Sequence, residues 1–351
     1  MGDPQAPFAK VLEVLDHHRA LDGDRLAADV TLISIGDHFD YDFRDPATCT
    51  REGLALLRWL AAHDRDQVRL LLGNHDISRV MELAAIDDAT FDAARVLARS
   101  LDRHAADSLD QPLVADDEFA QRYPHLPPAG VIGRDYASFS TEQRALVIEL
   151  LLAGRFQLAL AGELSGRAVL LTHAGVTARE LALLGVTDTD PHAIADALED
   201  RLVTAVAEVR DDWQRGIATP LSLAPIHFAG SAGYEGGGLL YHRPSNPETG
   251  SRFDADRPRR FDPRTLPRGL AQIAGHSGHA KCVQELGAWC TPAAQARKHG
   301  GVRSLVVDGD AVSYDLGVQP HAPTVLILID GELRRVPASE VTLLAIDRVV
   351  A

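Results

Sequence analysis

Apolar residues along this chain fall into two rhythms. Phe8, Val11, Leu12 and Leu15 recur at helical spacing, and Leu54, Leu57 and Leu60 do the same in a segment from about Thr50 to His63. Between and after them stand short apolar runs, Thr31-Leu32-Ile33-Ser34-Ile35 and residues 68–72, of the length of a buried strand. Strand and helix alternate at roughly 30–40 residues per unit, the size of a βαβ crossover, which predicts a parallel sheet and an α/β fold. The rhythm breaks over about 77–155, where the pattern is helical and amphipathic with a Pro-rich interruption at 123–128. This stretch reads as a helical insertion that caps the ligand-bearing edge of the sheet. Residues 156–160 and 168–171 predict a hairpin around Ser165-Gly166, and a long helix is expected over about 191–215. The segment 229–268, rich in Gly, Pro, Arg and Asp, reads as a long substrate-side loop. After a short strand at 271–274 come two expected hairpins: 304–307 with 312–314, and 324–329 with 333–336. No repeat divides residues 1–351, which are expected to form one domain.

The polar residues that follow the apolar runs carry the chemistry. One run ends in Gly36-Asp37-His38-Phe39-Asp40, the next in Gly73-Asn74-His75-Asp76, a third in His173-Ala174-Gly175, and a fourth in Gly275-His276-Ser277-Gly278-His279. Asp3 and Gln5 open the chain. If the strands are parallel neighbours, these side chains share one edge of one sheet, where ligands bind in open α/β folds. The donors are oxygen and nitrogen without sulfur, which suits Mn, Fe, Zn, Co or Mg rather than a structural zinc. They are too many for one ion. A shared carboxylate would hold two ions about 3.5–4 Å apart, and such a pair can deprotonate a bridging water and neutralise a transferring phosphoryl group.

Composition narrows the partners. The formal net charge is −15, and Lys10, Lys281 and Lys298 are the lysines, so positive charge is nearly all arginine. A surface this acidic disfavours nucleic acid, while arginine suits bidentate grip of phosphate or carboxylate. Cys49, Cys282 and Cys290 form no CxxC pattern and read as buried thiols in a reducing compartment. No apolar run reaches the ~18 residues needed to span a bilayer. A cytoplasmic protein with no membrane partner is expected.

In order, these motifs resemble those of the calcineurin-like metallophosphoesterases: an opening Asp-x-His, Gly-Asp-x-x-Asp, Gly-Asn-His-Asp/Glu, a histidine strand and Gly-His-x-His. The resemblance implies a metallophosphoesterase β-sandwich flanked by helices, and two divalent metal ions, with Mn favoured. It further implies Asp37 as the bridging carboxylate, Asp3 and His279 on the first metal, and Asn74, His173 and His276 on the second. His75 would be the general acid, oriented by Asp40. His173-Ala174-Gly175 together with Gly238-Leu239-Leu240-Tyr241-His242-Arg243 is similar to the phosphoprotein-phosphatase branch and its bacterial diadenosine-tetraphosphatase relatives. Arg243 would then grip the substrate phosphate.

The chain departs from the family pattern in four places. Gln5 replaces the opening histidine and is a weaker ligand. Tyr41 stands where that branch places an arginine after Asp40, a loss for which Arg44 is the compensating candidate. The last motif carries an extra residue before His279. Only Met1 and Gly2 precede Asp3, so the first strand is expected to be truncated, with the true start upstream. Simpler roles stand beside the sharp ones. Asp37 and Asn74 can be turn or cap residues, Asp3 a frayed terminus, His38 a packing residue, and Arg44, Arg79 and Arg179 helix-surface residues. The Gly236-Gly237-Gly238 run lacks the helix that a phosphate cradle needs. Hydrolysis of a phosphomonoester, on a phosphorylated small molecule or phosphoprotein, is the expected function. The alternatives are dinucleoside-polyphosphate or phosphodiester cleavage, and, in another class, a catalytically weak protein that binds a metal or nucleotide.

Overall fold

Two sheets lie face to face, and the alternation along their strands shows why. The computed structural model describes residues 1–350 apart from 43, 107–111, 233, 250–252 and 255, with the backbone alone for 102–106, 112–116 and 350. Parts of the expected insertion and of the expected 229–268 loop therefore lie outside the described residues. The smaller sheet is parallel and runs Leu32–Ser34, Val68–Leu71, Phe156–Gln157. The larger is mixed, in the order Ala311–Leu316, Arg303–Asp308, Thr324–Leu328, Ala271–Ala274, Arg167–Thr172, Ala159–Leu164, Arg348–Val350. Ala271–Ala274 pairs in parallel with both its neighbours, and the outer pairs are antiparallel.

Successive strand side chains point to opposite faces. Ile33, Ile35 and Leu71 of the smaller sheet meet Val169, Leu171, Ile273 and Ile327 of the larger in one buried cluster between the sheets. Leu32, Leu70 and Leu72 turn outward onto a layer that includes the helices Phe8–His17, Pro46–Ala61 and Thr141–Leu152. The far face of the larger sheet presents Leu305, Leu326 and Leu328 to Cys282 and Leu286 of the helix His279–Leu286. Two helices start where their sequences say they should. Asp45 accepts from Thr48 N at 3.1 Å ahead of Pro46, and Asp190 accepts from His192 N at 3.2 Å ahead of Pro191.

The chain's first residues join the two sheets. Met1 N donates to Ile33 O at 2.7 Å and Ile35 N donates to Met1 O at 3.0 Å, a parallel pairing with the edge of the smaller sheet. On the other side Gly2 is pressed to Ile329, whose carbonyl oxygen would lie 2.3 Å from any Cβ at that position. Asp3 is thus delivered to the seam between the sheets rather than left to fray.

Three expectations change. The run 156–160 is shared between sheets: Phe156–Gln157 pairs with Val68–Leu71, and the chain steps across at Leu158 before Ala159–Leu164 joins the larger sheet. Leu333–Arg335 is a 3-10 turn, not a hairpin arm, because Thr324–Leu328 already has Arg303–Asp308 and Ala271–Ala274 as neighbours. The helices of the expected 77–155 insertion do not share one core. Leu83, Phe91, Ala98, Phe119, Ile132 and Tyr136 form a cluster of their own, whereas Leu146, Val147 and Leu150 of Thr141–Leu152 pack on the main body.

Leu70 is fully buried and Val96 is 64% exposed. Leu70→Ala should therefore lower unfolding stability by about 3 kcal/mol. Val96→Ala should change it by less than about 0.5 kcal/mol, both read from urea denaturation midpoints.

Candidate active site and metal centre

The strand ends bring most of the expected residues together, and close backbone approach is what permits it. A Cβ on Gly73 would sit 2.2 Å from Asp37 Oδ1, one on Gly275 would sit 2.1 Å from Asp3 Oδ1, and one on Gly36 would meet Gly73 N at 2.5 Å. Asp37, Asp40 and His276 themselves hold left-handed backbone conformations, with φ of 59°, 68° and 59°. Such conformations cost a non-glycine residue on the order of 1–3 kcal/mol and gather at functional sites. The Asp76 carboxylate fixes the loops by accepting from Asp37 N, His38 N and Gly73 N at 2.9, 3.0 and 2.9 Å. Its partner His38 also reaches Ser34 Oγ at 2.9 Å, which gives His38 a packing role.

Asp37, His173 and His276 form a buried cluster whose candidate ligand atoms lie within 4.8 Å of one another. His173 Nδ1 donates to Ile35 O at 2.7 Å, so its Nε2 keeps a lone pair. That Nε2 lies 3.0 Å from Asn74 Oδ1 and 3.5 Å from Asp37 Oδ1. His276 Nε2 is buried and has no hydrogen-bond partner among the described residues. Lone pairs turned toward one another in a buried space repel unless a cation lies among them, so these residues fit a divalent metal ion. Asp3 accepts from His276 N through both oxygens, at 3.0 and 2.8 Å. Burial, then the charges of Asp330 and Asp37, push its carboxyl well above the usual range. Asp330, which as half of an Asp-Gly turn gave no sequence signal, is also raised by burial. Gln5 is half-buried and lines the pocket beside the cluster.

His75 stands on the next wall. Its Nδ1 meets Asp40 Oδ2 at 2.9 Å, and its Nε2 is 3.9 Å from Asp37 Oδ2. Burial opposes the charged ring, but the Asp37 charge and the Asp40 hydrogen bond outweigh it and lift His75 to about 9. Asp40 is held by Arg79 Nη1 at 2.7 Å and by Ser138 N at 2.7 Å. Burial opposes its ionisation, and Arg79 and His75 reverse that to leave it at about 2. Arg79 is not the helix-surface residue its position suggested: it is fully buried, donates to His75 O at 2.5 Å and lies over the Phe39 ring. Its spacing of four from His75 was the available signal. Ser138 gave none. Tyr136 packs edge-on to His75 with ring centroids 5.8 Å apart.

Two expected residues are not brought to the cluster. His279 is the first residue of its helix, with Nδ1 at 2.8 Å from Tyr314 Oη and Nε2 at 3.0 Å from Ala294 O. The extra residue in its motif turns it into the outer core. Arg44 is exposed and folds back on Asp42 at 3.2 Å. The cation beside Tyr41 is instead Arg334, which donates to Tyr41 O and lies 3.6 Å from Asp42. Arg243 does line the main pocket, about 620 Å³, together with Asn74, His75 and His276.

Facing sheets with buried oxygen and nitrogen donors gathered at their strand ends are the build of a metallohydrolase. The chain belongs to the calcineurin-like phosphoesterases, whose family model matches residues 1–214. It is accordingly a metal-dependent hydrolase of phosphoric ester bonds, from a family that generally binds two divalent ions and acts on phosphorylated substrates. No curated protein and no solved structure matches the chain. Among the described residues no helix is long and apolar enough to cross a membrane.

Gly73→Ala keeps an ordinary backbone conformation but drives a methyl group into Asp37. It should weaken Mn binding by about tenfold to a hundredfold, as loss of ligand positioning does. Gly133→Ala, where a Cβ meets nothing nearer than 3.6 Å, should leave Mn affinity unchanged by titration calorimetry.

Proposed function

We propose that the chain hydrolyses phosphomonoesters of small molecules, with His75 as the general acid. The observation that carries this reading is the pocket itself. Its about 620 Å³ opens on Asn74, His75 and His276 and includes Arg243 in its lining, a size suited to small-molecule ligands. Asp37, Asn74, His173 and His276, with Asp3 and Gln5, would hold the ions, and mixed oxygen and nitrogen donors suit Mn among the candidates. When bound, such ions supply an activated water and neutralise phosphoryl charge.

The chain's own residues do the rest. Asp40 occupies His75 Nδ1 and so fixes the ring's orientation, which leaves the Nε2 proton for the departing alkoxide. Arg79 and Ser138 keep Asp40 ionised and in place. Arg243, whose Nε is buried without a partner among the described residues, is free to grip a non-bridging phosphate oxygen.

A general acid matters most when the leaving group is a poor one. With Mn-loaded protein, His75→Asn should cut kcat by about 10²–10⁴ on an alkyl phosphate, and far less on p-nitrophenyl phosphate, whose leaving group needs no proton. Equal losses on both substrates would refute the acid role. Bis-p-nitrophenyl phosphate should be turned over more slowly than the monoester, and chelation should abolish activity until Mn is restored.

A further inference from the structure

The main pocket reverses the charge of the protein around it. The chain carries a net −15, yet Arg134, Arg243, Arg259, Arg260 and Lys281 all line this one pocket, against Asp135, Glu235 and the Asp40 already held by Arg79 and His75. Three separate segments supply the cations. Arg134 ends the short helix Ala129–Arg134 of the insertion, and Lys281 lies on the helix His279–Leu286. Arg243 and Arg260 are register partners in a short parallel pair, Arg243–Pro244 with Arg260–Phe261.

Their charges are only partly answered. Arg260 and Lys281 share a single carboxylate: Arg260 binds Glu285 through Nε and Nη2, both at 2.9 Å, while Lys281 lies 3.4 Å from it. Arg259 pairs with Glu235 and lies over the Tyr241 ring. Among the described residues neither Arg134 nor Arg243 has a carboxylate partner. One phosphate at the metal cluster uses Arg243, and its volume is far below the about 620 Å³ present. Val131, Tyr136 and Tyr241 add apolar surface for a connecting body.

Resting on the phosphomonoesterase reading above, we infer that the substrate is a small molecule with a second anionic group, a phosphate or a carboxylate, on the leaving-group side, held by Arg134 and by Arg260 with Lys281. The Nη groups of Arg134 can donate to either group as a fork, while Arg260, whose Nε and Nη2 already hold Glu285, adds charge beside Lys281. The second group is then a specificity determinant: an ester with no second anionic group reaches the cluster but leaves the outer cations unanswered.

Equilibrium binding of phosphonates, which cannot be hydrolysed, tests this without relying on turnover. Titration calorimetry on Mn-loaded protein would compare an alkyl phosphonate with a series of α,ω-alkane bisphosphonates and ω-phosphonocarboxylates. At least one doubly anionic series should bind about tenfold or more tightly than the alkyl phosphonate, the worth of one charge-assisted hydrogen bond. Whichever series wins identifies the second group. In the double variant Arg134→Ala/Lys281→Ala, both changes at side chains open to solvent, that advantage should shrink by about tenfold. Equal binding of singly and doubly anionic probes, or an advantage untouched by the double variant, would overturn the inference. Absence of p-nitrophenyl phosphate turnover would count against the phosphomonoesterase reading alone, because the binding contrast is read separately.

Discussion

The carboxylates of Asp3, Asp37 and Asp330 share a seam between two sheets, and this crowding of like charge is the constraint on which the rest of the structure depends. Buried carboxylates that lack a counter-charge cost several kcal/mol each, and the chain adds strain through the left-handed backbones of Asp37, Asp40 and His276. Local contacts relieve this only in part: the buried Arg303 acts on Asp330, and His75 faces Asp37 at 3.9 Å. The packed cluster between the sheets and the helical layers outside them offset it by apolar burial. A divalent cation among Asp37, His173 and His276 would remove the repulsion at its source. Metal and fold are thus coupled: the sheets force the donors together, and the ion would make that arrangement favourable.

The acid side is built on the opposite principle, the pairing of opposite charges. Asp40 is surrounded by His75, Arg79 and Ser138, and Arg79 also donates to Ser138 O at 2.7 Å. Ser138 and Tyr136 lie between the helices Ala129–Arg134 and Thr141–Leu152. This connection supplies backbone and ring contacts that set where His75 points. Tyr136 Oη lies 2.7 Å from Tyr241 Oη, which donates to Glu82 at 3.2 Å, so the loop bearing Arg243 is tied to the same wall. Burial raises the Glu82 carboxyl, as suits a group bonded to a tyrosine hydroxyl and to Gly230 N rather than to a cation.

The helical and apolar periodicities carried the layers, and the polar residues after each strand carried the cluster, because both depend on local order along the chain. What escaped depends on facts that sequence does not encode locally. Leu158 marks a step between sheets, yet the run 156–160 looks uniform, since hydrogen-bond partners leave no trace in hydropathy. His279 sits in a motif position, but one inserted residue in the extended turn ahead of the helix carries it to the helix start, against Tyr314. Arg79 looked like a surface arginine because its burial requires Asp40, which lies far off in sequence. Asp330 and Ser138 belong to ordinary turn vocabulary and become functional neighbours only through the fold.

Charge adds a last constraint on what reaches the site. An anionic substrate meets a protein of net charge −15, but at physiological salt exposed charges are screened beyond about 8 Å. Over that range the pocket's own cations, not the distant surface, set the local potential. A small anion that fits inside the pocket therefore meets five cationic side chains against Asp40, Asp135 and Glu235. A nucleic acid strand that extends past the pocket meets a chain of net charge −15, which offers no general attraction to added phosphates. On the proposed reading, cations gathered in one pocket of an acidic chain favour compact anions over extended ones, through where charge is placed rather than through its total.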